Sequence, residues 1–229
     1  MTFSGQNILV LGGSGSLGSL MTTSLLNQGA QVIATAHSQE SVGRIPDGAS
    51  SAILDLTSTA SIQGFIDEMK TSHASIDGVV IASGRVGFSP AESTSHEMLN
   101  QLMQINALGP AAVIKGLFPL LQAHQSEKAC VMGITGIVVD QTFPGMSAYT
   151  ASKTALASYL QSIAKEWRRY KIRTLDVRLG HTETGLATRP LFGEAPTMPT
   201  GHEPQVVVTR LIELLSTGDG IISDVEFNE

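Results

Sequence analysis

Tyr149 and Lys153 stand four residues apart in the run Tyr-Thr-Ala-Ser-Lys. On a helix that spacing puts both side chains on one face, within reach of one ligand. A phenol beside an ammonium suits proton transfer to or from an alcohol oxygen. The positive charge favours the phenolate and lowers the tyrosine from its usual pKa of about 10. The same spacing also describes an ordinary exposed tyrosine and lysine. A second group is the turn Gly12-Gly13-Ser14-Gly15-Ser16-Leu17-Gly18, directly after the apolar run Asn7 to Leu11. Glycines permit a tight turn and close backbone approach, and a helix opening there offers N–H groups and a positive dipole end to a pyrophosphate. A merely permissive turn is the plainer reading. The strand before it and the helix after it favour the phosphate.

These residues need a scaffold, and the hydrophobic pattern predicts one. Short apolar runs at 7–11, 31–36, 51–54, 78–82, 129–134, 173–177 and 221–225 read as strands buried on both faces. Helical spacing fills 16–28, 58–71, 94–125, 147–170 and 204–216. Strands separated by helices imply a single-domain, doubly wound Rossmann-type α/β fold with a seven-stranded, mostly parallel sheet. In such sheets ligands sit beyond the carboxyl ends of the strands. The proline- and glycine-rich stretch around 185–204 reads as a mobile loop over the substrate pocket. Leu186, Leu191, Phe192 and Met198 give that loop an apolar lining.

Composition narrows the function. With 229 residues, 42% hydrophobic and 15% charged, the chain suits one α/β domain and is unlike disordered or fibrous sequences. A net charge of −6 argues against a nucleic-acid partner, which needs clustered Lys and Arg. Six of the fourteen basic residues lie between Lys165 and Arg178, read as a solvated helix end rather than an anion patch. The lone cysteine, Cys130, excludes an intrachain disulfide framework, and Asp, Glu and His show no metal-ligand spacing. The start lacks the basic and apolar regions of a signal peptide, and no apolar run approaches the roughly 20 residues that span a bilayer. A cytoplasmic protein without a membrane partner is expected.

Cofactor choice should be written about 20 residues beyond the turn, at the end of the second strand. There the sequence reads Ala34-Thr35-Ala36-His37-Ser38, with no acid to pair with ribose hydroxyls. That absence leans toward NADP(H) over NAD(H), with Thr35, His37 and Ser38 as donors to a 2′-phosphate and Arg44 within possible reach. His37 reads equally well as a solvated loop residue.

Taken together, the glycine turn, Leu54-Asp55-Leu56-Thr57, Asn106, Tyr149-Thr-Ala-Ser-Lys153 and Leu179-Gly180-His-Thr-Glu-Thr184 resemble the short-chain dehydrogenase/reductase family over nearly the whole chain. The resemblance implies a dehydrogenase or reductase interconverting a carbonyl and an alcohol. Tyr149 would be the acid/base. Lys153 would bind the nicotinamide ribose and tune the phenol, and Asn106 would hold a water in a proton relay. Cofactor contacts would come from Gly12, Ser14, Gly15, Ser16, Leu17 and Gly18, from Asp55 against the adenine and Leu56, from Ala82, Ser83 and Gly84, and from Gly180, Thr182 and Thr184. A homodimer or homotetramer would form through the Asn106 and Tyr149 helices.

The chain also departs from that family. Ser16 replaces a glycine of the turn, Ile81-Ala82-Ser83-Gly84 replaces Asn-Asn-Ala-Gly, and Leu179-Gly180 replaces Pro-Gly. The catalytic serine expected thirteen residues before the tyrosine is Gly136. Thr135 beside it either turns inward to polarise the carbonyl or is a structural threonine at a strand end. The first of these is the expectation carried forward. The competing function is a non-catalytic dinucleotide-binding sensor or interaction protein.

Overall fold

The computed structural model describes residues 3–124 and 129–227. Its strands are β1 Asn7–Leu11, β2 Gln31–Ala36, β3 Ser50–Ile53, β4 Gly78–Ile81, β5 Ala129–Ile134, β6 Ile172–Val177 and β7 Gly220–Ile222. They form one sheet in the order β3-β2-β1-β4-β5-β6-β7, and every neighbouring pair is parallel. The helices are α1 Ser16–Asn27, α2 Gln39–Val42, α3 Thr59–Ser72, α4 His96–Met103, α5 Gly109–Gln122, α6 Ser147–Trp167 and α7 Pro204–Thr217. Residues of α3, α5 and α6 build the core on one face of the sheet, and those of α1 and α7 build it on the other. Both faces are therefore dry, which is why β1 and β4 carry unbroken apolar runs rather than alternation. The strand order reverses between β1 and β4, so a crevice opens where the glycine turn and Ala82–Gly84 leave the sheet.

Several boundaries move, each for a local reason. The expected helix 94–125 is interrupted by a π-turn at Gln104–Leu108 between α4 and α5, and Gln125 lies outside the described residues. Pro110 follows, and it has no N–H to give the carbonyl of Asn106 in a regular α ladder, so the helix widens by one residue. The α4–α5 stretch His96–Gln122 also corrects the statement about bilayer-length runs, since by length and hydropathy it is long and apolar enough to cross. Half of its most apolar window is buried inside the protein, where Leu102, Val113, Ile114 and Leu117 face the core. The helix expected at 147–170 ends at Trp167, and the chain reverses through Lys171 in the left-handed region at φ 58°. The last strand stops at Ile222, and Asp224–Phe227 is a tight turn instead.

The basic cluster also differs from the solvated helix end that was expected. Arg173 donates to the carbonyls of Leu215, at 2.7 Å, and Gly218. Arg178 joins Asp140 to the buried Asp176. These two arginines tie loops to the sheet rather than facing water.

Candidate active site

Tyr149 and Lys153 lie on the first two turns of α6, and both are buried. The Lys153 Nζ sits 5.9 Å from the centre of the Tyr149 ring and donates to the carbonyl of Ile134 at 2.9 Å. Burial pushes the Tyr149 phenol up to about 12 and the Lys153 ammonium down to about 8. The expected lowering of the phenol is therefore not what this environment does. Desolvation disfavours both charged forms and outweighs their mutual attraction. A neutral phenol can donate a proton.

Asn106 is fully buried in the π-turn and closes the back of the site. Its Oδ1 accepts from the Arg85 backbone N–H at 2.8 Å, and its Nδ2 donates to the Arg85 carbonyl at 2.8 Å and to Ser152 Oγ at 2.9 Å. Ser152 in turn donates to the Tyr149 carbonyl at 2.7 Å. Ser152 and Arg85 were not singled out from sequence, although Ser152 sits inside the Tyr-Thr-Ala-Ser-Lys run. Gly84 explains its own identity: a Cβ there would come within 3.1 Å of Lys153 Nζ and 3.4 Å of Asn106 Oδ1.

Thr135 is a correction. Its hydroxyl is fully buried and donates to Asp176 Oδ1 at 2.5 Å, with the Val177 carbonyl 3.2 Å away. A hydroxyl has one proton, and this one is committed to the strand beside it. Gly136 adopts φ 91°, and its N–H donates to the Val177 carbonyl at 3.1 Å. The Ile137 N–H is likewise bonded to Leu179. Val86, Phe88 and Val138 are buried with Tyr149 in one apolar cluster. Leu186, Leu191 and Phe192 pack against that cluster.

The glycine turn and its polar atoms fit a dinucleotide. Gly15 precedes α1 with no side-chain cap, so the helix end is left to a ligand. A Cβ on Gly13 would come within 2.6 Å of Ala34, and one on Gly18 within 2.1 Å of the Gly12 carbonyl, so those two positions take no larger residue. Ser83 packs against Gly12 and leaves its hydroxyl buried with no protein partner.

The residues expected to choose the cofactor stand differently. Thr35 is buried and accepts from the Gly12 N–H at 3.0 Å, so it braces the turn rather than facing a 2′-phosphate. Ser38 caps the unexpected helix α2 through Ser41, and His37 Nδ1 lies 3.2 Å from Ser41 Oγ. Arg44 is exposed just beyond α2. Asp55 turns one oxygen back on Thr57, accepting from its N–H at 2.8 Å and its hydroxyl at 2.7 Å. Leu56 is buried in the core beside it.

Beyond β6, the Gly180 N–H donates to Asp224 Oδ1 at 2.5 Å, which His202 Nε2 also approaches at 2.9 Å. Thr182 donates to the Gly180 carbonyl, and Thr184 Oγ1 accepts from the Leu186 N–H. His181 pairs with Glu183 at 3.4 Å. The irregular segment that follows is fastened to the chain after β4. Leu191 N–H donates to the Val86 carbonyl at 2.8 Å, and Phe88 N–H to the Phe192 carbonyl at 3.0 Å.

A glycine turn opening a helix at the reversal of a parallel sheet, with a buried tyrosine and lysine on α6, is the arrangement of a dinucleotide-dependent oxidoreductase. The comparisons agree. A family model described as short chain dehydrogenase matches residues 6–190, and the chain belongs to that family. The vibriobactin-specific 2,3-dihydro-2,3-dihydroxybenzoate dehydrogenase of Vibrio cholerae serotype O1 is 26% identical over 206 residues, 85% of this chain and 78% of that protein. The chain spans 63% and 66% of the length of two further curated relatives it matches. Among solved structures, a short chain dehydrogenase from Burkholderia cenocepacia J2315 in complex with NADP superposes with a TM-score of 0.82 at 20% identity, covering 97% of this chain and 89% of that one. The 3-ketoacyl-(acyl-carrier-protein) reductase of Brucella melitensis, complexed with NADH, has a TM-score of 0.82 at 18% identity, covering 97% of both chains. At these identities the two structures establish the fold alone.

Proposed function

We propose that this oxidoreductase reduces a carbonyl on a predominantly apolar substrate, with NADP(H) favoured over NAD(H). The observation that carries the reading is the buried Tyr149 phenol, held neutral beside Lys153 and packed in an apolar cluster. The bound cofactor supplies a hydride at its nicotinamide ring. The chain supplies the rest. Tyr149 holds the substrate oxygen and gives it a proton. Lys153 keeps a positive charge near that oxygen below a pH of about 8, and Asn106, through Arg85 and Ser152, fixes the backbone on both sides of the cleft. The wall of Val86, Phe88 and Val138 excludes water and selects apolar substituents.

The preference for NADP(H) rests on Ala36, where no acid meets the ribose, and on the exposed His37 and Arg44 nearby. The single-domain organisation, the cytoplasmic setting and a homodimer or homotetramer belong to the same proposal. Leu108, half exposed on the long α4–α5 stretch, supports a subunit contact.

A second reading is favoured by one observation. Gly136 has no hydroxyl and Thr135 has turned inward, as in a protein that kept the dinucleotide crevice and not the reaction. Fluorescence titration with NADPH and NADH, followed by turnover on ketones, aldehydes and quinones, separates the two. Binding with turnover supports the reductase, binding without turnover on any of them supports the sensor, and no binding of either cofactor overturns both.

A further inference from the structure

The serine that replaces a glycine in the phosphate turn does something a glycine cannot. Ser16 Oγ donates to the backbone carbonyl of Thr184 at 2.8 Å, joining residues 168 apart in sequence. One partner opens α1, whose uncapped end faces the crevice, and the other lies in the loop after β6. The bond therefore runs from the phosphate side of the crevice to its nicotinamide side.

Thr184 begins a strap. Arg189 folds back onto it, with Nη2 donating to the Thr184 carbonyl at 3.1 Å and Nε to the Gly185 carbonyl at 3.0 Å. The Arg189 carbonyl accepts from Arg85 Nη2 at 3.2 Å, and Leu191 and Phe192 are hydrogen-bonded to the Val86 and Phe88 backbone. Arg85 is the residue clamped by Asn106. The far end of the strap is thus fixed to the proton-donor side, and Ser16 fastens its near end to the phosphate turn.

We infer that Ser16 is a positioning residue that latches the strap 184–193 across the cofactor crevice and unlatches as a pyrophosphate arrives. The reason is the single proton on its hydroxyl. While that proton is given to the Thr184 carbonyl, it is withheld from a phosphate at the α1 terminus. A phosphate oxygen is charged and is the stronger acceptor, so an entering dinucleotide takes the proton and frees the strap at the end where the nicotinamide must lie. Cofactor entry and loop release are then one event. This latch rests on the dinucleotide reading above, but its first test does not.

That test is hydrogen–deuterium exchange of the cofactor-free protein, comparing the parent with Ser16→Ala and Ser16→Thr. Removing one exposed hydrogen bond should speed exchange of the amides in 184–193 by about fivefold in Ser16→Ala, while Ser16→Thr keeps the hydroxyl and stays at the parent rate. The amides of β1 and β4 serve as the control for folding and should not change. The second arm is stopped-flow fluorescence of NADPH binding, in which Ser16→Ala should admit the cofactor faster than the parent. Unchanged strap exchange in Ser16→Ala, with β1 and β4 intact, overturns the latch whatever the cofactor does. Altered strap exchange with no cofactor binding even by the parent keeps the fastening but overturns its coupling to cofactor entry, along with the dinucleotide function.

Discussion

Thr135→Val separates a structural hydroxyl from a catalytic one. Valine keeps the shape and β-branching of threonine, so no cavity opens, and the change is confined to the hydroxyl. In the structure that hydroxyl is bonded to Asp176 Oδ1 at 2.5 Å, in a region where both residues are buried. The other oxygen of Asp176 keeps Gln161 at 3.1 Å and Arg178 at 3.2 Å, so the carboxylate is weakened rather than abandoned. Removing one donor from a buried, otherwise paired carboxylate costs about 2 kcal/mol. For a chain of this size each kcal/mol moves the melting temperature by roughly 2–4 °C, so a fall of about 4–8 °C is expected. Turnover per folded molecule should stay within about threefold, because the proton never faced the crevice; losing a true oxyanion donor would cost about a hundredfold or more. Thermal melts and carbonyl-reduction rates on the same preparations decide it. An unchanged melting temperature with a tenfold slower reduction would return Thr135 to the site and refute the argument. A cycle with Asp176→Asn adds a check, since two residues sharing one bond should not behave additively.

Tyr149→Phe removes the donated proton and leaves the ring, so cofactor titration should be unchanged while turnover falls by about a hundredfold or more. Because burial lowers Lys153 to about 8 and raises Tyr149 to about 12, the phenol stays a donor while the ammonium is lost on the alkaline side. The rate of carbonyl reduction should hold at neutral pH and fall above pH 8, and a profile flat to pH 10 would remove Lys153 from the account. NADPH should bind about tenfold more tightly than NADH, a preference worth one charge-assisted contact, and Ala36→Asp should reverse it; equal affinities would refute the NADP(H) preference. Gly136→Ser should melt lower than the parent by the cost of a side chain at φ 91°, about 1–3 kcal/mol, and reduce carbonyls no faster than Gly136→Ala. A serine variant ten times faster than the alanine variant would mean the hydroxyl reaches the substrate oxygen after all.

Much of the scaffold was legible because its signals are redundant. Seven apolar runs separated by helical spacing fix a parallel sheet however the individual ends are drawn, and the glycine turn marks the crevice whose close contacts allow only glycine at Gly13 and Gly18. The facing of Tyr149 and Lys153 follows from helical periodicity alone. What could not be read was which way a short polar side chain turns at the end of a strand. Thr35, Ser38 and Thr135 carry the hydroxyls a ligand would want, yet each is bonded to nearby protein groups. A hydroxyl bonds to whatever acceptor is nearest, and that neighbour comes from tertiary structure. The π-turn around Asn106 was hidden for the same reason, although Pro110 marks where a regular helix must fail. The pKa of Tyr149 was misjudged in direction because sequence places the ammonium but not the burial that outweighs it.

The glycine that stands where the family has its serine has a local cause. Asp176 on β6 draws in Thr135 from the end of β5, and Arg178 draws in Asp140 from the turn beyond Gly136. The stretch that would otherwise present a second donor to the substrate is thereby pulled against β6 at both ends. A residue between two such anchors must turn sharply, and only glycine takes φ 91° there without strain. Gly136 and the anchoring of its neighbours by Asp176 and Arg178 are thus linked parts of one arrangement, in which β6 holds the loop beside Tyr149. In the proposed function the phenol is then the donor that the substrate oxygen meets, and the shape of the cluster of Val86, Phe88 and Val138, rather than hydrogen bonding, would do the selecting.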